Sequence, residues 1–453
     1  MIPPKPAARE GRVSLLRYLR LFRSDILSAQ PEKLYRAWMA EFRTPFFRSY
    51  MIGQPSLVDL VLKERPGDFP KSDRVREGLA PLLGNSVFVT NGEEWTRQRR
   101  IIDPAFEGGR LRQTFPAMRD AAVATLARLD ARADGSEVEI EAEASHAAAD
   151  VIFRTLFSIP IEHEIAAEVF AAFRAYQREQ PLLNVAAFLP VPRWVPRFHS
   201  RRARASARPI RELIARLVRE RAALIEAGDA PDDLATKIMT TQDPKTGARF
   251  DEAEMVDQVA IFFLAGHETS ASALGWALWL LAASPDWQEK VAADGRRLGD
   301  LGEAPFSAIS SLKVTRDVFR EALRLYPPVP MMVREARCPE RFRDRDVPAG
   351  SQIIISPWHL HRQSRLWTEP DAFDPARWGT ENGKACQREA YIPFSAGPRV
   401  CPGAGFAMIE GVLLLASIVG RYRLEIVEGK RPVPVAHLTV RARDGIWLKL
   451  TPR

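Results

Sequence analysis

Apolar positions are densest over residues 251–284, DEAEMVDQVAIFFLAGHETSASALGWALWLLAAS. The run is apolar nearly all round, which predicts one helix through the protein's centre, roughly 50 Å long at 1.5 Å per residue. Asp257, Gln258, His267 and Glu268 interrupt it, so it does not read as a membrane span. Helical periodicity also predicts helices over 111–133, 143–158, 161–180, 200–227, 285–299 and 312–326. GEEWTRQRRIIDPAF reads as a helix ending near Pro104, and PSLVDLVLKER as a short one. Strand-like pieces are shorter: FFRSYMIG, SEVEIEA, and IIISP behind a Pro-Ala-Gly turn. The tail HLTVRARDGIWLKLTPR predicts a hairpin, and 72–90 (SDRVREGLAPLLGNSVFVT) reads as a loop. Residues 181–198, PLLNVAAFLPVPRWVPRF, form a proline-rich connector that resembles a lid. The fold class is mainly α with small β-sheets.

At 453 residues the length admits two or three domains, but no linker, repeat or low-complexity block divides the chain. One domain over 1–453 is therefore expected. It would have a β-rich N-terminal part about 40–90, a helical core about 91–326, and a β and cysteine-loop region about 327–453. Net charge is +8. Arginines interleave with acids and no binding motif appears, which disfavours nucleic acid. The densest basic cluster, 197–211, reads as the polar face and start of a helix. Three cysteines lack zinc-type spacing and make no disulfide framework, which favours a reducing cytoplasm. The N-terminus shows neither a signal peptide nor a membrane anchor.

One stretch raises a chemical question: YIPFSAGPRVCPGAGFA, 391–407, puts Cys401 at the mouth of an apolar helix. Such a cysteine is either a small buried hydrophobe or a thiolate, hence a nucleophile or metal ligand. Its neighbours form F-x-x-G-x-R-x-C-x-G through Phe394, Gly397, Arg399, Cys401 and Gly403. Upstream stand Glu321 and Arg324 as E-x-x-R, then PDAFDPARW with Pro370, Phe373, Arg377 and Trp378. AGHETS, 265–270, lies in the long helix. Together these resemble the cytochrome P-450 family of haem-thiolate monooxygenases, from about residue 40 to the end. More narrowly, the chain is similar to the soluble bacterial-type members without a fused reductase.

The resemblance implies the P-450 fold, with haem b (iron protoporphyrin IX) between the long central helix and the cysteine-loop helix. Cys401 would be the axial iron ligand, a thiolate pushing electron density to the far side. Backbone N–H groups from Gly403 onward would support its charge, since Pro402 has none. Gly397, Gly403 and Gly405 would let the backbone bend close to the porphyrin. Phe394 would shield the sulfur, and Ala265 would contact the cofactor. Arg399, Arg334 and the pair Trp95/Arg99, on one helix face at (i, i+4), would hold the propionates. Glu321, Arg324 and Arg377 would form a structural triad. Cys338 and Cys386 are structural or surface residues.

On the distal side, Gly266 and a Thr269 bond to the Ala265 carbonyl would open a groove in the helix. Thr269 would position water, and Glu268 would relay protons from solvent. His267 is read as packing. The family position of the 72–90 loop, Phe262, Ala265, Val329, Met331, Met332, Val333, His437 and Leu438 makes them the substrate wall. That wall is apolar and suits a hydrophobic substrate: fatty acid, terpenoid, steroid or aromatic. The expected reaction is insertion of one atom of O₂. Electrons would come from a separate ferredoxin or flavodoxin with its NAD(P)H-dependent reductase, docking on a basic face with Lys384, Arg388 and Arg399. Alternatives are a peroxide-driven oxygenase, or a haem-binding sensor or carrier without turnover.

Overall fold

A computed structural model describes residues 1–11, 13–43, 48–179 and 201–453. The proline-rich connector at 181–198 and the start of the basic cluster lie outside the described residues. The predicted central helix is present as Glu252–Ala282. It starts on a capping box: the Asp251 side chain accepts from the Glu254 N–H, and the Glu254 carboxylate accepts from the Asp251 N–H. Helices Ile140–Phe157, Arg201–Ala227, Lys313–Leu325 and Ala404–Arg421 pack against it, which is why its apolar residues run round every face. Ala404–Arg421 is apolar and long enough to cross a bilayer by composition. Here it is mostly buried between the central helix, Gly108–Asp130 and Pro285–Arg296.

Beside the helices stands a four-stranded sheet. Met39–Arg43 pairs antiparallel with Arg48–Ile52, which runs parallel to Gln352–Ile355, which pairs antiparallel with Met332–Glu335. The β-branched run after the Pro-Ala-Gly turn is thus an interior strand. It draws the turn before Met332 against the helical core.

Three expectations need correction. Residues 73–83 form a helix, Asp73–Leu83, not a loop; the Ser72 hydroxyl caps it, and Gly84 follows at φ +49°. With Pro55–Asp59 and Leu60–Glu64 also helical, the segment 40–90 holds more helix than strand. The tail is not a hairpin. Val440–Ala442 pairs with Pro434–Ala436, whereas Trp447–Pro452 pairs with both Glu137–Glu139 and Tyr422–Ile426. Both partners of the last strand come from elsewhere in the chain, so no local turn signal could announce them.

Candidate active site

A cavity of about 490 Å³ lies between the central helix and the cysteine loop. The helix contributes Phe262, Ala265, Gly266, Thr269 and Ser270 to its wall; the loop contributes Phe394, Arg399, Cys401 and Gly403. The structure thereby brings together residues more than 120 positions apart. The substrate-wall candidates Val329, Met331, Met332, Val333, His437 and Leu438 line the same space, as do Trp95, Arg99 and Arg334.

The cysteine loop is held from below. The Cys401 N–H donates to the Phe394 carbonyl at 2.9 Å. Gly397 sits at φ +67°, and a Cβ there would lie 2.0 Å from the Leu62 carbonyl oxygen. The close approach that demands this glycine is therefore to backbone beneath the loop. Gly405 packs on Leu111. At Gly403 a Cβ would meet only Cys401 Sγ, at 3.9 Å, and the Gly403 N–H points at the sulfur. That N–H and the Arg99 charge pull the Cys401 thiol down, against burial, which dominates and pushes it up. A cationic partner at the sulfur would oppose that shift. Cys386 has no such neighbourhood: it is buried near the Leu366 carbonyl, with its thiol pushed up to about 11. Cys338 is exposed.

At one end of the cavity positive charge accumulates. Trp95 is ringed by Lys71, Arg99 and Arg399, at 5.5, 5.9 and 5.2 Å from its ring. Lys71 bridges to Arg334 through the backbone and donates to the Val87 and Thr90 carbonyls. Burial and three arginines, Arg334, Arg399 and Arg99, push Lys71 down to about 6. Arg334 is pushed down to about 10 by burial and by Arg399. The Nε atoms of Arg334 and Arg399 are buried without a partner. Anions between its members would offset that repulsion and desolvation. A haem would bring two carboxylates to such a cluster and an iron to the open Cys401 thiol, so these residues fit one. Lys71 was missed in the sequence; it lies in no motif, and only the fold carries it to Trp95.

The triad is fully buried rather than an exposed helix pair. Glu321 Oε1 accepts from Arg377 Nε at 2.9 Å and from the Asp374 N–H at 3.0 Å. Arg324 makes a two-pronged contact with the same carboxylate at 2.9 and 2.8 Å. The remaining guanidinium protons go to the His361, Pro370, Thr368, Glu369 and Ala372 carbonyls. His361 ties this knot to the cysteine loop. Its Nε2 accepts from the Ile392 N–H at 2.9 Å, and its Nδ1 meets the Arg324 carbonyl at 3.2 Å. Burial pushes it down to about 3, which keeps it neutral.

On the distal side Thr269 donates to the Ala265 carbonyl at 2.5 Å. Gly266 answers to packing: a Cβ there would lie 2.4 Å from Ile152 Cδ1. His267 is buried on Ser145, as its packing assignment implies. Glu268 is not in the cavity wall. Its carboxylate accepts from Thr439 at 3.0 Å and pairs with Arg441. Of the suggested docking cations, Lys384 pairs with Glu381 at 2.9 Å and Arg399 faces the cavity.

Comparison with known proteins places nearly the whole chain. The family model "Cytochrome P450" matches residues 28–449. The chain is 34% identical over 404 residues to cyclooctat-9-en-7-ol 5-monooxygenase of Streptomyces melanosporofaciens, covering 87% of this chain and 83% of that one. It is 33% identical over 401 residues to cyclooctatin synthase of the same organism, covering 86% and 84%. It is 30% identical over 401 residues to a cytokinin hydroxylase of Arabidopsis thaliana, covering 87% and 77%. The chain belongs to the cytochrome P450 family and is an enzyme of its monooxygenase class.

Proposed function

We propose that this protein inserts one atom of O₂ into a hydrophobic small molecule, using haem b held by Cys401. The cavity carries the reading: it sets one thiol opposite one hydroxyl-bearing helix, with an anion-binding cluster at its end. When bound, the haem supplies O₂ activation, for which the thiolate is the electron-donating ligand. The chain does the rest. Gly403 N–H supports the sulfur, Phe394 shields it, and Lys71, Trp95, Arg99, Arg334 and Arg399 orient the propionates. The Thr269 hydroxyl holds water beside the Ala265 carbonyl. Phe262, Val329, Met331, Met332, Val333 and Leu438 exclude bulk water and bind the substrate through apolar area. The substrate class thus stays with fatty acids, terpenoids, steroids and aromatics; the relative named for cyclooctat-9-en-7-ol favours the cyclic members.

Electrons come from a separate ferredoxin or flavodoxin and its NAD(P)H-dependent reductase, in a cytoplasmic setting. Glu268 can serve as a relay only by leaving Arg441. The test is the reduced, carbon-monoxide-bound spectrum followed by product analysis. A long-wavelength Soret band that Cys401→Ser abolishes, and product with a ferredoxin and an apolar compound that shifts the spin state, support the reading. A colourless protein, or a band unchanged in Cys401→Ser, sinks it.

A further inference from the structure

Most polar side chains in the cavity wall are already spent on the protein itself. Tyr18 and Gln30 bond to each other, and Gln30 also donates to the Ile26 carbonyl at 3.2 Å. The Thr155 and Thr269 hydroxyls donate to the Val151 and Ala265 carbonyls. Ser270 donates to Glu410 at 2.7 Å, and Gln352 is held between Ser72 and Glu335. Lys71, Trp95 and three arginines belong to the anion cluster, and Arg74 is engaged as well. The Ser395 hydroxyl and one Glu410 oxygen are buried without partners, but on the cysteine loop and the helix behind it. Away from that end, among the described residues, two wall side chains make no hydrogen bond: His437 and Ser49. His437 lies in the turn between Pro434–Ala436 and Val440–Ala442, next to the substrate-wall residue Leu438. That turn is fixed in place. The Ala436 carbonyl accepts from the Ile26 N–H at 2.9 Å, and the Ala436 N–H donates to Asp25 at 2.8 Å. Asp25 also accepts from the Leu27 and Ser28 N–H groups and makes no ion pair with the imidazole. Burial pushes His437 down, and only the Asp25 charge opposes that. A neutral imidazole offers one donor and one acceptor nitrogen. A hydroxyl both donates and accepts, so it matches either nitrogen. A carbonyl matches only the N–H, and a carboxylate calls for a cation.

We propose that His437 reads a hydroxyl group on the substrate, so that the enzyme takes an apolar alcohol in preference to the bare hydrocarbon or a fatty acid. The inference rests on the monooxygenase reading and narrows its substrate class. The apolar wall holds the carbon skeleton, and the imidazole pairs an oxygen that the skeleton already carries. Together they fix which carbon faces Thr269. In the reaction a C–H bond of that carbon breaks and a C–OH bond forms with one atom of O₂. The other atom leaves as water, with two electrons from the reductase and two protons from solvent. The hydroxyl at His437 is unchanged, so the product is a diol. The reaction upstream is then one that leaves an alcohol on an apolar skeleton: an earlier hydroxylation, or a cyclisation quenched by water.

The test titrates the haem-loaded protein with matched pairs and reads the spin shift, without turnover. The pairs are dodecane and dodecanol, abietadiene and abietadienol, and androstane and androstanol. In the parent at least one alcohol should bind about fivefold to tenfold tighter than its hydrocarbon, the worth of one neutral hydrogen bond. His437→Leu should erase that preference and leave hydrocarbon binding unchanged, and His437→Gln should keep part of it. Turnover of the preferred alcohol should give one diol in the parent and a mixture of positions in His437→Leu. Equal binding of alcohol and hydrocarbon by the parent in every pair overturns the proposal. So does a preference that survives His437→Leu, or one that only Ser49→Ala removes. If His437→Leu does not load haem, His437→Ala answers in its place by the same criterion. A protein whose spin state no compound of either kind shifts fails the monooxygenase reading, and the proposal falls with it.

Discussion

Glu268 gives its carboxylate to Arg441, outside the cavity that the adjacent Thr269 lines. One step along the central helix thus separates a residue facing the cavity from one facing the C-terminal strands. Arg441→Ala should leave Glu268 buried on Thr439 alone. The expected cost is about 2 kcal/mol, below the 3–5 of a fully buried pair because the Arg441 side chain is one third exposed. A urea midpoint would report it, and Arg441→Lys should recover most of the loss.

Thr269→Ala should keep the substrate spin shift and lower product per NAD(P)H by roughly tenfold to a hundredfold, with peroxide rising in step. An unchanged yield would remove Thr269 from the reaction.

Glu321→Ala should leave two buried guanidinium groups without their carboxylate, at a cost of about 3–5 kcal/mol. Because Arg324 and His361 connect that knot to Ile392 in the cysteine loop, haem content should fall to near zero. Pyridine-haemochrome assay against protein mass is the measurement, and normal occupancy would disprove the role.

Gly397→Ala should cost about 3 kcal/mol, since it combines a left-handed backbone with a clash against the Leu62 carbonyl. Gly403→Ala, whose Cβ would meet only Cys401 Sγ at 3.9 Å, should change the stability of the haem-free protein by about 0.5 kcal/mol or less. Thermal midpoints of the two variants should therefore diverge.

Lys71 gives a pH signature. Its folded pKa of about 6 lies below the unfolded value of 10.5, so between them the unfolded chain holds the extra proton. Stability of the haem-free protein should then rise with pH across that window. Bound carboxylates would lift the folded value and flatten the slope. Melting haem-free and haem-loaded protein at pH 6, 7.5 and 9 tests this; parallel profiles would argue against carboxylates at the cluster.

Much of this was legible in the chain because it is local. The period of 251–284, the E-x-x-R turn, and the glycines and proline around Cys401 depend on near neighbours and helix geometry, so order and spacing alone identified them. The 72–90 segment misled because its Ser72 cap precedes charged residues rather than an apolar face. The terminal hairpin misled because alternation predicts a strand without naming its partner.

What only the tertiary structure decided is which charges meet. Sequence placed Glu268 beside Thr269, yet the helix turns them to different neighbours. Lys71 has no motif, and Trp95 with three arginines gives it one. Glu410 lies in an apolar helix, and only the fold brings Ser270 within 2.7 Å of its carboxylate. The physical reason is the same each time. Helix and strand periods act over a few residues, whereas burial and the pairing of buried charge depend on elements brought together from across the whole chain.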